Sequence, residues 1–154
     1  MVTLVLVRHA KSDWGTAGLP DHERPLNERG RRDAPLMAAA LARTGFRPDR
    51  LLSSTAVRAR TTAEAFARAL DVPLEIESDL YAASARDIWR SAATTGAQNV
   101  LIVAHDPGLS DLATALAGRE VTMTTCAVAT FPIAGDHWPS AVPVVEEWQL
   151  HAPR

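Results

Sequence analysis

A chain of 154 residues fits one domain around a single core, because a domain of this size buries about 68–70% of the surface that its unfolded chain exposes. Its 47% hydrophobic and 22% charged residues exclude a disordered polar chain and a fibrous repeat. A net charge of −2 gives no global attraction for nucleic acid or anionic lipid, so neither is an expected partner and any anion must be held by a local cluster.

The chain opens on Val2 to Val7, a continuous apolar run rich in branched residues, as expected of a strand buried on both faces. The run is too short to span a bilayer and lacks the basic start and cleavage pattern of a signal peptide, so a cytoplasmic protein with no membrane segment is expected. A first helix follows, with Asn27 as cap, Ala34, Met37, Ala38 and Leu41 on its inner face, and Gly45 as its stop. Leu51 and Leu52 mark a second strand, and a second helix is predicted from about Ala56 to Leu70 behind the candidate caps Ser54 and Thr55. Leu74 to Ile76 adds a weaker strand. A third helix starts at Ser84, with Asp87 three residues on resembling a capping box, and ends at Gly96. After the strand Val100 to Val103, a fourth helix takes Asp106 as cap and Pro107 as its first residue, with an inner stripe of Leu109, Leu112, Ala113 and Leu116 up to Gly118. Ala127 to Phe131 reads as a strand, and an antiparallel strand near Val144 to Leu150 closes an edge. This alternation predicts a single-domain α/β fold over residues 1–154: three layers, α/β/α, with a mostly parallel, doubly wound sheet and an antiparallel edge strand. The lone Cys126 excludes an intrachain disulfide and, in its apolar run, reads as a buried structural thiol.

Two of these strands end alike, Val5-Leu6-Val7 running into Arg8-His9 and Leu101-Ile102-Val103-Ala104 into His105. Ligands of open α/β sheets bind outside the carboxyl ends of the strands, so both histidines fall in the expected crevice. Directly after a third strand, Leu52-Ser53-Ser54-Thr55-Ala56-Val57-Arg58 brings Arg58 to the start of a helix on the same edge. Guanidinium groups and a helix N-terminus suit a phosphoryl group, and the imidazoles offer a nucleophile and a second contact.

The segment Leu6-Val7-Arg8-His9-Ala10-Lys11-Ser12-Asp13-Trp14 resembles the opening of the histidine phosphatase superfamily, the phosphoglycerate mutase-like enzymes, and is most similar to their SixA-type phosphohistidine phosphatase branch. The resemblance continues through Arg24-Pro25-Leu26-Asn27-Glu28-Arg29-Gly30, Leu52 to Ala63, and Val103-Ala104-His105-Asp106-Pro107-Gly108-Leu109. It implies His9 as a phosphorylated nucleophile, Arg8, Arg58 and His105 as the rest of a phosphate pocket, and a reaction that uses no cofactor and no metal. The substrate it implies is phosphohistidine in a protein or a small phosphorylated molecule. Ala10 departs from the glycine of many members. A larger departure lies at Asp79-Leu80-Tyr81-Ala82-Ala83-Ser84, where many relatives carry a glutamate as proton donor.

Asp13, Asp21 and Asp106 are the remaining carboxylates that could approach the pocket as proton donors, and Asp106 doubles as a helix cap. Trp14 is a candidate wall of the pocket mouth, while Trp89, Trp138 and Trp148 read as packing. Arg24 and Arg29 are candidates for a positive rim, and His137 and His151 have no assigned role. Besides a mutase, three competing functions are a small-molecule phosphomonoesterase, a non-catalytic phosphoprotein binder using the same arginines, and a metal site built from His9, His105 and Asp106. The second is disfavoured by the presence of both histidines. The third lacks helical His spacing and a carboxylate-rich ligand set. A mutase is disfavoured because Ile76 to Asn99 has room for little beyond one helix. Oligomeric state is left open.

Overall fold

The computed structural model describes residues 1–154. Along the chain, β1 (Val2–Arg8), α1 (Glu28–Arg43), β2 (Arg50–Ser53), α2 (Val57–Leu70), β3 (Leu74–Ile76), α3 (Ala85–Ala93), β4 (Asn99–Ala104), α4 (Gly108–Ala117), β5 (Val128–Ile133) and β6 (Gln149–His151) form one sheet with helices on both faces. The strand order is β3-β2-β4-β1-β5-β6. The first four are mutually parallel, β5 runs antiparallel to β1, and β6 pairs antiparallel with β5 at the edge. The antiparallel edge strand is therefore present but short, at Gln149–His151. The chain before it turns away: Val145 is buried and its N–H bonds to the carbonyl of Leu116 at the end of α4.

Strand alternation explains why β1 is apolar throughout. Leu4 and Leu6 pack into the core under α3 and α4, whereas Val5 and Val7 face α1 and α2. Each side chain taken from water in this way contributes roughly 1.5–3 kcal/mol. The first and third helices start on side-chain caps, with Asn27 accepting from Gly30 N at 2.9 Å and Ser84 from Asp87 N at 3.2 Å.

The other two helix starts differ from the sequence expectation. Ala56 occupies the cap of α2 with no side-chain cap bond. Ser54 and Thr55 are drawn off by longer-range partners: Ser54 Oγ lies 2.6 Å from His105 Nε2, and Thr55 Oγ1 lies 2.7 Å from His22 Nε2. At α4 the helix begins at Gly108, with Pro107 in the cap position. Asp106 still caps it from one residue further out, accepting from Ser110 N at 2.9 Å and Ser110 Oγ at 2.7 Å. Gly108 is required there, since a Cβ on it would collide with the carbonyl oxygen of Ala83.

Register sets the position of the site. Arg8 pairs with Ala104 across β1 and β4, and Ser53 pairs with Val103 across β2 and β4, so three parallel strands end level. The ladder extends one step past these ends, with His9 N bonded to Ala104 O and Ser54 N to Val103 O, both at 3.2 Å. The residues that follow are delivered to one edge of the sheet.

Candidate active site

His9 lies at that edge and is only 7% exposed. Its Nδ1 sits 2.8 Å from the carbonyl oxygen of Ala10. A carbonyl can only accept, so Nδ1 carries the proton and Nε2 keeps a free lone pair. Burial is the main cause that lowers the His9 pKa from 6.5 to about 4; the bond to Ala10 opposes this, and Arg58, Arg8 and Arg24 add to it. The ring is therefore neutral near pH 7. The loop that carries it is tied to α2 through Thr62, whose Oγ1 accepts from Ala10 N at 3.0 Å and donates to Arg58 O at 2.8 Å.

The His105 ring stands 5.2 Å from that of His9, centroid to centroid. Ser54 Oγ accepts from Ala56 N at 3.2 Å and lies 2.6 Å from His105 Nε2; when its hydroxyl donates to Nε2, the ring proton is on Nδ1. That Nδ1 is buried and has no partner in the chain. Burial first, then His9 and Arg58, bring the His105 pKa down to about 3, so this ring is neutral as well.

The arginines are anchored by their outer nitrogens. Arg8 donates from Nη1 to Met123 O at 2.9 Å and lies 3.6 Å from Asp106 Oδ2. Arg58 donates from Nη1 to Asp21 O at 2.7 Å and from Nη2 to Asp21 Oδ2 at 3.0 Å. In both, the buried Nε is left without a partner. The buried side-chain polar atoms with no hydrogen bond are these two Nε atoms and His105 Nδ1. Arg8 Nε, Arg58 Nε and, with its ring proton there, His105 Nδ1 are thus buried donors that nothing in the chain receives.

Of the three candidate carboxylates, Asp13 caps its own loop by accepting from Gly15 N at 2.7 Å, and Asp106 is held on α4 beside Arg8. Asp21 is at the site. The Tyr81 hydroxyl is the main cause that holds its pKa down to about 2, burial opposes, and Arg58 and Arg24 assist. An acid ionised so strongly cannot act as a proton donor near neutral pH. Arg24 is a buried strut rather than part of an exposed rim, bonded to Ser12 Oγ at 2.6 Å and to Asp21. Arg29 lies on the exposed side of α1, 3.4 Å from Asp33. Trp14 is 74% exposed and stacks on Arg24, whose guanidinium carbon is 3.4 Å from the ring centroid. Trp89 and Trp138 meet edge to face, and Trp148 stacks on Phe131, as packing residues. Cys126 is buried, and burial pushes its thiol up to about 12. No three His, Cys, Asp or Glu side chains converge in metal-holding geometry, His9, His105 and Asp106 included.

Sequence reasoning did not anticipate Ser54 as the partner of His105, or Tyr81 as the hydroxyl on Asp21. Tyr81 lies in the very stretch searched for an acid, and its ring meets those of His105 and His22 edge to face.

Neighbouring parallel strand ends at which two neutral histidines and two arginines gather define an α/β protein with a cationic cluster at one edge of its sheet. The chain belongs to the histidine phosphatase superfamily (branch 1), whose family model matches residues 4–84. Its likeness within that superfamily is to the SixA-type branch: a crystal structure from Agrobacterium tumefaciens, titled as a candidate phosphohistidine phosphatase SixA, superposes with a TM-score of 0.81 at 29% identity, over 99% of each chain. Among relatives, an uncharacterised Mycobacterium tuberculosis protein is 34% identical over 150 residues, 89% of this chain and 92% of its own. An uncharacterised chloroplastic protein of Arabidopsis thaliana is 30% identical over 151 residues, 90% of this chain and 69% of its own. No helix is long and apolar enough to cross a membrane.

Proposed function

We propose that residues 1–154 form one catalytic domain that hydrolyses phosphohistidine on another protein through a covalent phosphohistidine on His9. The observation that carries this reading is that the partnerless buried donors Arg8 Nε, Arg58 Nε and His105 Nδ1 belong to the very residues that neighbour the nucleophilic His9. Leaving such groups unpaired costs roughly 1–3 kcal/mol each, a cost that a bound phosphoryl group offsets.

In the first step the His9 Nε2 lone pair attacks phosphorus in line while the bond to the leaving group breaks, its electron pair going to that group. Phosphorylated His9 keeps its Nδ1 proton on Ala10 O, so the ring is cationic and a good leaving group in turn. Water then attacks phosphorus, the electron pair returns to Nε2, and the proton of the water leaves with phosphate or to solvent. Arg8, Arg58 and His105 hold the equatorial oxygens in both steps, and no step calls for a metal.

The choice of a nitrogen–phosphorus bond follows from proton supply. An alkoxide needs a proton as it leaves, but Asp21 is ionised and Tyr81 directs its hydroxyl to Asp21. A phosphorylated imidazole arrives already protonated on its other nitrogen and departs as a neutral ring. The stretch between β3 and β4 holds only a short turn, Ser78–Leu80, and α3, so nothing there encloses a small substrate. The same reading puts the enzyme in the cytoplasm with a phosphorylated protein as its partner. The test is a substrate panel: kcat/KM on a phosphohistidine peptide is expected to exceed that on phosphoserine or a sugar phosphate by at least about 10²-fold, the low end of general-acid contributions. Comparable rates would reassign the protein as a small-molecule phosphomonoesterase, and absence of turnover with retained binding as a phosphoprotein-binding module.

A further inference from the structure

Arg58 is gripped at both tips of its guanidinium by one residue. Each Nη gives one of its two N–H groups to Asp21, through its main-chain carbonyl and its Oδ2, and the buried Nε has no partner in the chain. Asp21 is itself clamped from two more directions, by the Tyr81 hydroxyl at 2.7 Å on Oδ2 and by Arg24 Nε at 3.1 Å on Oδ1. Arg24 in turn is buried, fixed to Ser12 and covered by Trp14. Asp21 sits on the short turn Asp21–Glu23, within an excursion closed at its base by bonds from Asp13 N to Pro25 O and from Asn27 N to Lys11 O. Its contacts with Arg58 and Tyr81 pin that excursion across the site.

Two consequences follow. A guanidinium free to turn would have to be ordered by each phosphoryl group it meets, whereas one clamped at both Nη atoms keeps its remaining N–H donors fixed, ready where charge spreads in the transition state. The carboxylate also repels any anion bound beside Arg58, offsetting part of the attraction from Arg8, Arg24 and Arg58. A phosphatase must release phosphate after every turnover, and a pocket of unopposed arginines would retain it.

We propose that Asp21 is a positioning residue that holds the Arg58 guanidinium in one orientation at the phosphoryl site and, as a resident anion, keeps inorganic phosphate from lingering there. The inference rests on the phosphoryl reading of the pocket given above.

The experiment compares the full wild-type chain with Asp21→Asn, Asp21→Ala and Asp21→Glu, measuring kcat and KM on a phosphohistidine peptide and inhibition by inorganic phosphate. In Asp21→Asn, phosphate is expected to bind about tenfold more tightly and KM to fall, the sign set by removing a like charge. Over the same change kcat should drop by about tenfold or more, as a preorganised contact loosens. Asp21→Ala should move both constants the same way with a larger loss of kcat, and Asp21→Glu, which restores the charge, should bring phosphate inhibition back toward wild type. A residue that merely supports the loop would give the opposite sign, with weaker phosphate binding and higher KM. Phosphate inhibition that is unchanged or weaker in the Asn and Ala variants, in protein whose thermal melt is intact, would overturn the inference while leaving the phosphatase reading standing. Wild-type protein that neither turns over the peptide nor responds to phosphate would instead remove the phosphoryl reading itself, and this inference with it.

Discussion

Lowering the pH from 7 to 5 should destabilise this fold through its two buried histidines. Burial lowers His9 to about 4 and His105 to about 3, against 6.5 for a free imidazole. Folded pKa values below the unfolded value mean that the unfolded chain takes up protons first, so stability is complete above pH 6.5 and declines as pH falls toward 4. By pH 5 each ring that the fold keeps neutral costs roughly 2 kcal/mol, from 1.36 kcal/mol per pH unit over the interval below 6.5. Both rings are at most 7% exposed, so solvent screening takes little from that figure. Together they come to about 4 kcal/mol, a large part of the 5–15 kcal/mol that holds a typical domain. The window is selective, since Asp21, at about 2 folded against 3.8 free, contributes stability that is lost only at lower pH. Urea denaturation at pH 7 and pH 5, in wild type and in the double variant His9→Gln/His105→Gln, measures the effect. A wild-type loss below about 1 kcal/mol, or an equal loss in the double variant, would refute the claim that the fold holds these rings neutral.

Two further perturbations act on the chemistry. His9→Ala should abolish turnover, and brief reaction of the wild type should leave acid-labile, alkali-stable phosphate on His9; full activity in the variant would rule out the covalent route. Ser54→Ala should lower kcat by about tenfold and stability by roughly 1–3 kcal/mol, because His105 Nε2 loses its buried partner and with it the tautomer that points a proton into the pocket; a variant with wild-type kcat and an unchanged melt would show that the 2.6 Å contact does neither.

What could be read from the sequence was whatever local rules or strand topology govern. The caps Asn27 and Ser84 act within three residues of themselves, so their signals are complete in a short window. The gathering of Arg8, His9, Arg58 and His105 was legible for a different reason: parallel buried strands share a carboxyl edge, and residues written directly after them must meet there. Legibility ended where a side chain had a choice of distant partners. Ser54 looks like a helix cap in isolation, but its hydroxyl pairs with a histidine 51 residues away. Asp21 looks like an ordinary loop carboxylate because the residues that engage it, Arg58 and Tyr81, lie 37 and 60 positions further on. The length of β6 was overestimated for a similar reason, since nothing in Val144 to Trp148 signals that Val145 bonds to the end of α4.

The level ends of β1, β4 and β2 make the pocket a gauge of sheet registry. A slipped strand must move by two residues if its apolar side chains are to keep their faces, a displacement of roughly 6.6 Å at 3.3 Å per residue. That exceeds the 5.2 Å between the His9 and His105 rings, so one such slip would part the two histidines while leaving the hydrophobic layers filled. Misregistered molecules of this kind could match native ones in compactness and helix content, yet they would lack the cluster that we propose binds a phosphoryl group. Stoichiometric binding of vanadate would therefore count correctly threaded chains in a refolded sample, which spectroscopic measures of secondary structure cannot do.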